Sequence, residues 1–286
     1  MTFSGVHTAL VTTFHTDGSL DIRRYEELCQ RQLDAGIHGL VPCGTTGEAP
    51  TLTDDEWAQC IATAVRVSNG RVPVTAGVGT NNTVTTLSRL ERAKALGADA
   101  GLLVFPYYNK PNPHGLEAHV RAALGVGLPL VIYHVPGRTG QRLPFAQLAH
   151  LANLDGVVAV KEATGDVHFG INLMNQTRTP VLSGDDFTFL PLQSVGGSGV
   201  ISVVSNVAPS ETVAVYEAAA RGDMLTARQK LNNLWDLITF LFSDTNPVPC
   251  KAAMHQMGLC EPTVRLPLGP YSGPEPTPIL TQLGMF

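Results

Sequence analysis

Eight short apolar runs, each followed by a stretch of helical periodicity, constrain this chain more than any other feature. The runs span 6–14, 39–44, 72–79, 100–106, 129–136, 157–163, 180–185 and 199–206. Several are apolar almost throughout, which fits strands of a parallel sheet covered on both faces. Helical patterns fill 21–35, 54–68, 83–96, 115–126, 144–151, 166–174, 187–195 and 210–221. Thr53-Asp54-Asp55-Glu56 has the spacing of a capping box, and Gly36, Gly70 and Gly97 stand where helices stop. Eight such units in 286 residues imply an α/β fold, a (β/α)8 TIM barrel. A doubly wound open sheet is the alternative. Its Gly-rich dinucleotide turn is missing, because the first run enters Phe14-His15-Thr16-Asp17-Gly18. Further helical stretches at 223–243 and 249–257 precede a Pro-rich tail. Residues 1–222 therefore read as the barrel domain and 223–286 as a C-terminal helical extension.

Composition narrows the function. A net charge of −5 offers no basic footprint for nucleic acid. No stretch is long and apolar enough to span a membrane. The five cysteines lack CxxC spacing and read as reduced packing residues. Met1-Thr2-Phe3-Ser4-Gly5 lacks the basic and apolar segments of an export signal, so a cytoplasmic location is expected.

In a barrel, the C-terminal ends of the strands carry the chemistry. Of five lysines, only Lys161 ends an apolar run, in Val157-Val158-Ala159-Val160-Lys161-Glu162. Burial disfavours an ammonium and favours the neutral amine that attacks carbonyls. A strand-end lysine can equally snorkel to water or pair with Glu162. Gly44-Thr45-Thr46-Gly47-Glu48 ends the second run, and its hydroxyls and backbone N–H groups suit a small carboxylate or phosphate. The alternative is a Gly-rich turn whose threonines cap the next helix. Tyr133 ends the fifth run one strand from Lys161, where a phenol can shuttle protons or be a half-buried aromatic. His134 beside it should point the other way and be structural. Arg138 is suited to bidentate capture of a carboxylate, or is a solvated loop residue. Ser183-Gly184-Asp185-Asp186 ends the seventh run. There we expect Asp186 to be a helix N-cap and Gly184 to give clearance near a substrate. Strand eight offers small residues and backbone carbonyls. No metal-ligand spacing, nucleophile elbow or Walker loop is present. Together these residues point to a Schiff-base enzyme acting on a 2-oxo acid such as pyruvate, with neither metal nor organic cofactor. A non-catalytic binding relative is the competing class, and it would be expected to lack Lys161 or Tyr133.

Gly44 through Glu48, Tyr133 through Gly140, Lys161-Glu162-Ala163-Thr164-Gly165 and Ser183 through Asp186 occur in an order that resembles the dihydrodipicolinate synthase / N-acetylneuraminate lyase superfamily. Asn246-Pro247-Val248-Pro249 and Val264-Arg265-Leu266-Pro267-Leu268 extend the resemblance to the C-terminal part. Arg138 in Val-Pro-Gly-Arg-Thr-Gly points to the dihydrodipicolinate synthase branch rather than to sugar-acid aldolases. The resemblance implies condensation of pyruvate with aspartate-4-semialdehyde at the branch to lysine. A pyruvate-dependent aldolase or dehydratase acting on a sugar acid is the alternative. The resemblance implies that Lys161 forms the Schiff base and that Thr45 and Thr46 hold the pyruvate carboxylate. Thr45 would also relay protons between Tyr133 and Tyr108. Arg138 would bind the semialdehyde carboxylate, and Gly184 and Ile201 would line the site through backbone groups. It further implies a homotetramer of tight dimers in which Tyr108 reaches into the neighbouring site.

The resemblance also implies a lysine-binding site at that interface in many members, and here the sequence departs from it. The stretch matching a histidine-bearing helix reads Thr53-Asp54-Asp55-Glu56-Trp57, and Thr85 stands where a glutamate is expected; Asn81 and Tyr107 are retained. Loss of an anionic partner weakens binding of an ammonium. We therefore predict weak or absent inhibition by lysine. Strong inhibition of turnover at millimolar lysine would contradict this.

Overall fold

The computed structural model describes residues 3–285. Met1 and Thr2 of the opening stretch therefore lie outside the described residues, as does Phe286. Eight parallel strands alternate with helices: β1 Gly5–Ala9, β2 Gly39–Val41, β3 Thr75–Gly77, β4 Ala100–Val104, β5 Leu130–His134, β6 Val157–Glu162, β7 Val181–Ser183 and β8 Gly199–Ser202. They hydrogen-bond in the order β2-β1-β8-β7-β6-β5-β4-β3. A parallel bridge between Leu40 and Val74 joins the two ends, reinforced by Leu40 N to Pro73 O (3.0 Å) and Gly77 N to Pro42 O (2.9 Å). The sheet thus closes into the expected (β/α)8 barrel, and the open-sheet alternative is overturned.

The helices are α1 Ile22–Asp34, α2 Asp54–Ser68, α3 Thr83–Ala95, α4 Pro113–Gly125, α5 Pro136–Thr139, α6 Phe145–Ala152, α7 Val167–Met174, α8 Phe189–Gln193 and α9 Pro209–Ala220. After them come α10 Met224–Leu241, α11 Val248–Gln256 and α12 Thr277–Gln282. Thr53 and Glu56 form the reciprocal capping box that opens α2. Gly36, Gly70 and Gly97 take positive φ just past helix ends, where a side chain would be strained.

The strands are shorter than the apolar runs. The first run leaves the sheet after Ala9, although Leu10, Val11 and Phe14 remain buried. The eighth turns at Val204–Asn206 into a 3-10 turn. Hydrophobicity reports burial, and burial continues beyond the ladder. Two further differences are local: the Pro136 segment forms the single helical turn α5, and the Pro-rich tail contains α12.

Two apolar layers account for the runs. Ala9, Val41, Leu102, Val131, Tyr133, Ala159, Leu182 and Ile201 fill the barrel interior. Alternate residues such as Val6, Leu40, Leu103, Leu130, Ile132 and Val160 pack outward with the helices. Strands buried on both sides show no alternation of polarity, which is why they read as continuous runs. All five cysteines are free and buried, as packing residues.

Candidate active site

Parallel register brings the candidate residues to one rim. Tyr133 of β5 lies directly opposite Lys161 of β6, and Lys161 opposite Leu182 of β7. Because they are opposite one another, both side chains face the barrel interior. Lys161 Nζ lies 4.2 Å from the centroid of the Tyr133 ring. Lys161 is only 6% exposed, so it does not snorkel into solvent. Its neighbour Glu162 points outward, where its carboxylate accepts from Thr164 N at 2.7 Å. Burial pushes the Glu162 carboxyl above its ordinary value. The Lys161–Glu162 pairing is therefore not formed.

Gly184 packs against this lysine. A Cβ added there would stand 2.8 Å from Lys161 Cε and 2.8 Å from Ala163 Cβ. Glycine thus supplies clearance, and the group it clears is the lysine side chain. Asp185 bends back, its Oδ1 accepting from Phe187 N at 2.9 Å. Burial raises its carboxyl while attraction to Lys161 opposes the rise. Asp186 corrects an expectation. It does not cap α8, whose N-cap is Thr188 without a side-chain bond. Its Oδ2 instead accepts from Val203 N (2.9 Å) and Val204 N (3.2 Å), capping the 3-10 turn after β8. The barrel brings that turn closer than the Asp186 residue's own helix, a neighbour sequence spacing cannot reveal.

The Gly44–Glu48 turn closes on itself, with Gly47 N and Ala49 N donating to Gly44 O and Glu48 N to Thr45 O. Its threonines do not cap α2, because the 3-10 turn Ala49–Thr51 and Thr53 intervene. Thr46 is buried, and its hydroxyl accepts from Asn246 Nδ2 at 2.9 Å. Thr45 is half-buried and faces a cavity of about 530 Å³ that Tyr133 and Arg138 also line. Arg138 is exposed on α5, which Pro136 opens and Gly140 ends at φ 69°; its guanidinium reaches Asn246 O at 3.5 Å. Ile201 sits in the interior layer below this rim.

Thr45, Tyr133 and Arg138 therefore share one cavity, while Lys161 joins them through Tyr133. Tyr108 stands apart, 89% exposed on left-handed backbone at φ 72°. His134 is structural, as read from the sequence. It is fully buried, accepts from Leu143 N at 3.1 Å and stacks on Phe169. Burial lowers it to about 4.

Two residues of the site received no role from the sequence, although Asn246 lies in a stretch that carries the resemblance. Asn246 lines the cavity and contacts both Thr46 and Arg138. Lys251 sat in an unremarkable helical stretch, yet it is fully buried on Glu48 at 2.5 Å. The available signal was a lysine among the small or apolar residues Cys250, Ala252 and Ala253. Next to the cavity, Trp57 is buried with its Nε1 donating to Gly77 O at 2.9 Å.

Residues 2–280 match the Dihydrodipicolinate synthetase family. The chain is 44% identical over 271 residues to the 4-hydroxy-tetrahydrodipicolinate synthase of Methanoculleus marisnigri, with 93% of each chain covered. It is 47% identical to that of Exiguobacterium sibiricum, covering 93% of this chain and 92% of the relative. Among solved structures, the Acinetobacter baumannii dihydrodipicolinate synthase complexed with pyruvate superposes with a TM-score of 0.96 at 40% identity, with both chains fully covered.

Asp186 gives this region a pH signature. Burial raises its carboxyl from 3.8 to about 6, against the lowering effect of its hydrogen bonds. The folded state therefore holds a proton that the unfolded state has released between those values. Stability from this group is complete below 3.8 and is lost as pH rises through about 6. The loss amounts to about 3 kcal/mol. Asp186→Asn should gain most of that amount, about 2 kcal/mol, relative to the parent between pH 4 and pH 7, measured by urea unfolding at both pH values.

Proposed function

The chain belongs to the dihydrodipicolinate synthetase family, and we propose that it acts as a 4-hydroxy-tetrahydrodipicolinate synthase, condensing pyruvate with aspartate-4-semialdehyde. The observation that carries this reading is Lys161 Nζ, dry at the end of β6 and 4.2 Å from the Tyr133 ring beside a cavity that Arg138 also lines.

The amine of Lys161 attacks the pyruvate ketone. The carbonyl oxygen gains a proton, and the carbinolamine loses water to give an iminium. Electron withdrawal by the iminium lets the adjacent methyl lose a proton, and the resulting enamine attacks the aldehyde carbon, whose oxygen takes a proton as the iminium re-forms; the semialdehyde's own amine then adds to the iminium carbon and displaces Lys161, which leaves as the free amine. Thr45 and Thr46 hold the pyruvate carboxylate with hydroxyl and backbone donors. Their turn supports this role, since it is closed by its own hydrogen bonds and fixed by Asn246. Tyr133 is the proton shuttle nearest Lys161, with Thr45 as the link towards Tyr108. Arg138 takes the carboxylate of the semialdehyde from the open side of the cavity. Gly184 and Ile201 contribute backbone groups.

Tyr108 reads as a residue given to a neighbouring copy. Its exposure on left-handed backbone supports this, since strain of about 1–2 kcal/mol is otherwise uncompensated in a single chain. A homotetramer of two tight dimers, acting in the cytoplasm, completes the proposal. Trp57 also supports weak lysine inhibition. Its indole N–H is a donor, spent on Gly77 O, and the ring carries no lone-pair acceptor for an ammonium.

Product identification from pyruvate and aspartate-4-semialdehyde tests the activity directly. Borohydride reduction in the presence of pyruvate should add mass to the parent chain and not to Lys161→Ala. Release of pyruvate from a sugar acid, with no condensation product, would overturn the proposal. Tyr133→Phe should fold and lose roughly 10²–10⁴-fold in kcat, the usual contribution of a positioned acid–base group. Unchanged kcat would remove this tyrosine from the proton path.

A further inference from the structure

Glu48 is the most constrained residue of the turn that faces the cavity. It sits in the left-handed region at φ 53° and ψ 35°, where a side chain is strained. Its carboxylate is almost completely buried, yet it is satisfied on both oxygens. Lys251 Nζ donates to Oε1 at 2.5 Å, and Arg265 N donates to Oε2 at 2.9 Å. Lys251 is itself fully buried and completes its bonding with Thr263 O at 2.8 Å, its ammonium 4.2 Å from the centre of the Phe14 ring. All of these partners lie on the C-terminal extension except Phe14. The same extension supplies Asn246, whose amide donates to Thr46 at 2.9 Å.

We infer that Lys251 is a positioning residue for the pyruvate site, holding the Thr45-Thr46 turn in its binding conformation through Glu48. The inference rests on the Schiff-base reading above and adds to it a device outside the barrel. A buried ion pair is a poor source of stability, since desolvation offsets much of its attraction and apolar replacements often fold as well. What a well-satisfied pair does supply is one backbone geometry. Here the geometry is that of the residue two positions after Thr46. The pair has an electrostatic role as well. A carboxylate left without its ammonium, beside donors meant for a substrate carboxylate, would repel that substrate.

The test compares the parent chain with Lys251→Met, Glu48→Gln and the double variant Glu48→Gln/Lys251→Met, which keeps the packed volume without a charge. Leu148→Ala, a core truncation in α6, serves as a destabilised control. Two quantities are read: the pyruvate concentration that half-saturates borohydride trapping, and the KM for aspartate-4-semialdehyde at saturating pyruvate. In Lys251→Met and the double variant the pyruvate value should rise tenfold or more, roughly the effect of a lost hydrogen bond to a charged group. The semialdehyde KM should stay within about twofold, because Arg138 stands on α5 and contacts neither Glu48 nor Lys251. Leu148→Ala should move neither value. If Lys251→Met does not fold, the double variant carries the test. A folded double variant with the parent's pyruvate half-saturation would overturn the inference and leave the Schiff-base reading intact. A parent chain that traps no pyruvate would overturn both.

Discussion

The parallel pairing that sets Tyr133 opposite Lys161 is the constraint on which the rest of the site depends. In a parallel ladder, residues opposite one another face the same side, so fixing one side chain inward fixes its neighbour. A slip of one residue would turn Lys161 into the helix layer and bring Glu162 into the barrel. The apolar layers oppose that slip. Val131 and Ala159 lie inward below Tyr133 and Lys161, while Ile132 and Val160 lie outward. The register of the catalytic rim is thus specified by burial two residues deeper. Closure across Leu40 and Val74 then brings the second strand, and with it the Thr45-Thr46 turn, to the same rim.

That dependence explains how much of the molecule was legible in the sequence. The strand and helix order could be read because each element carries its own periodicity and its own stop, as Gly36, Gly70 and Gly97 do. Lys161 could be read because it ends an apolar run, and His134 because alternation placed it opposite in facing to Tyr133. Asp186 was misread for a different reason. Its own helix was the nearest visible set of unsatisfied N–H groups, but the barrel brings Val203 N and Val204 N within 2.9 and 3.2 Å. Lys251 and Asn246 were overlooked on the same ground. Their partners lie 203 and 200 residues away, beyond the reach of any local pattern.

The extension after the barrel is joined to the rim by polar contacts rather than by an apolar face alone. Arg265 is the second fastening. Its guanidinium pairs with Glu56 of the capping box and donates to Gly18 O and Thr51 O. The bond to Arg265 holds the Glu56 carboxyl down at about 2. One arginine thus links the loop after β1, the turn after β2 and the start of α2. Such contacts are directional, whereas the hydrophobic effect is not. The turn proposed to hold a small carboxylate gains more from directional fixing than from added apolar area.

The two buried lysines make the same point from opposite directions. Both are removed from water, at 6% exposure for Lys161 and 0% for Lys251. Lys251 is surrounded by acceptors, with Glu48 and Thr263 O accepting its hydrogen bonds. A lysine so engaged is held by groups that would all have to be abandoned before its nitrogen could attack anything. Among the described residues, Lys161 Nζ meets no carboxylate within ion-pairing distance, and its near neighbour is the face of Tyr133. Burial alone therefore does not mark a nucleophile. The distinction lies in whether the surroundings engage the nitrogen or leave it directed at space that a substrate can enter. By that criterion one buried lysine is engaged in structure, and the other is left open to the chemistry proposed for it.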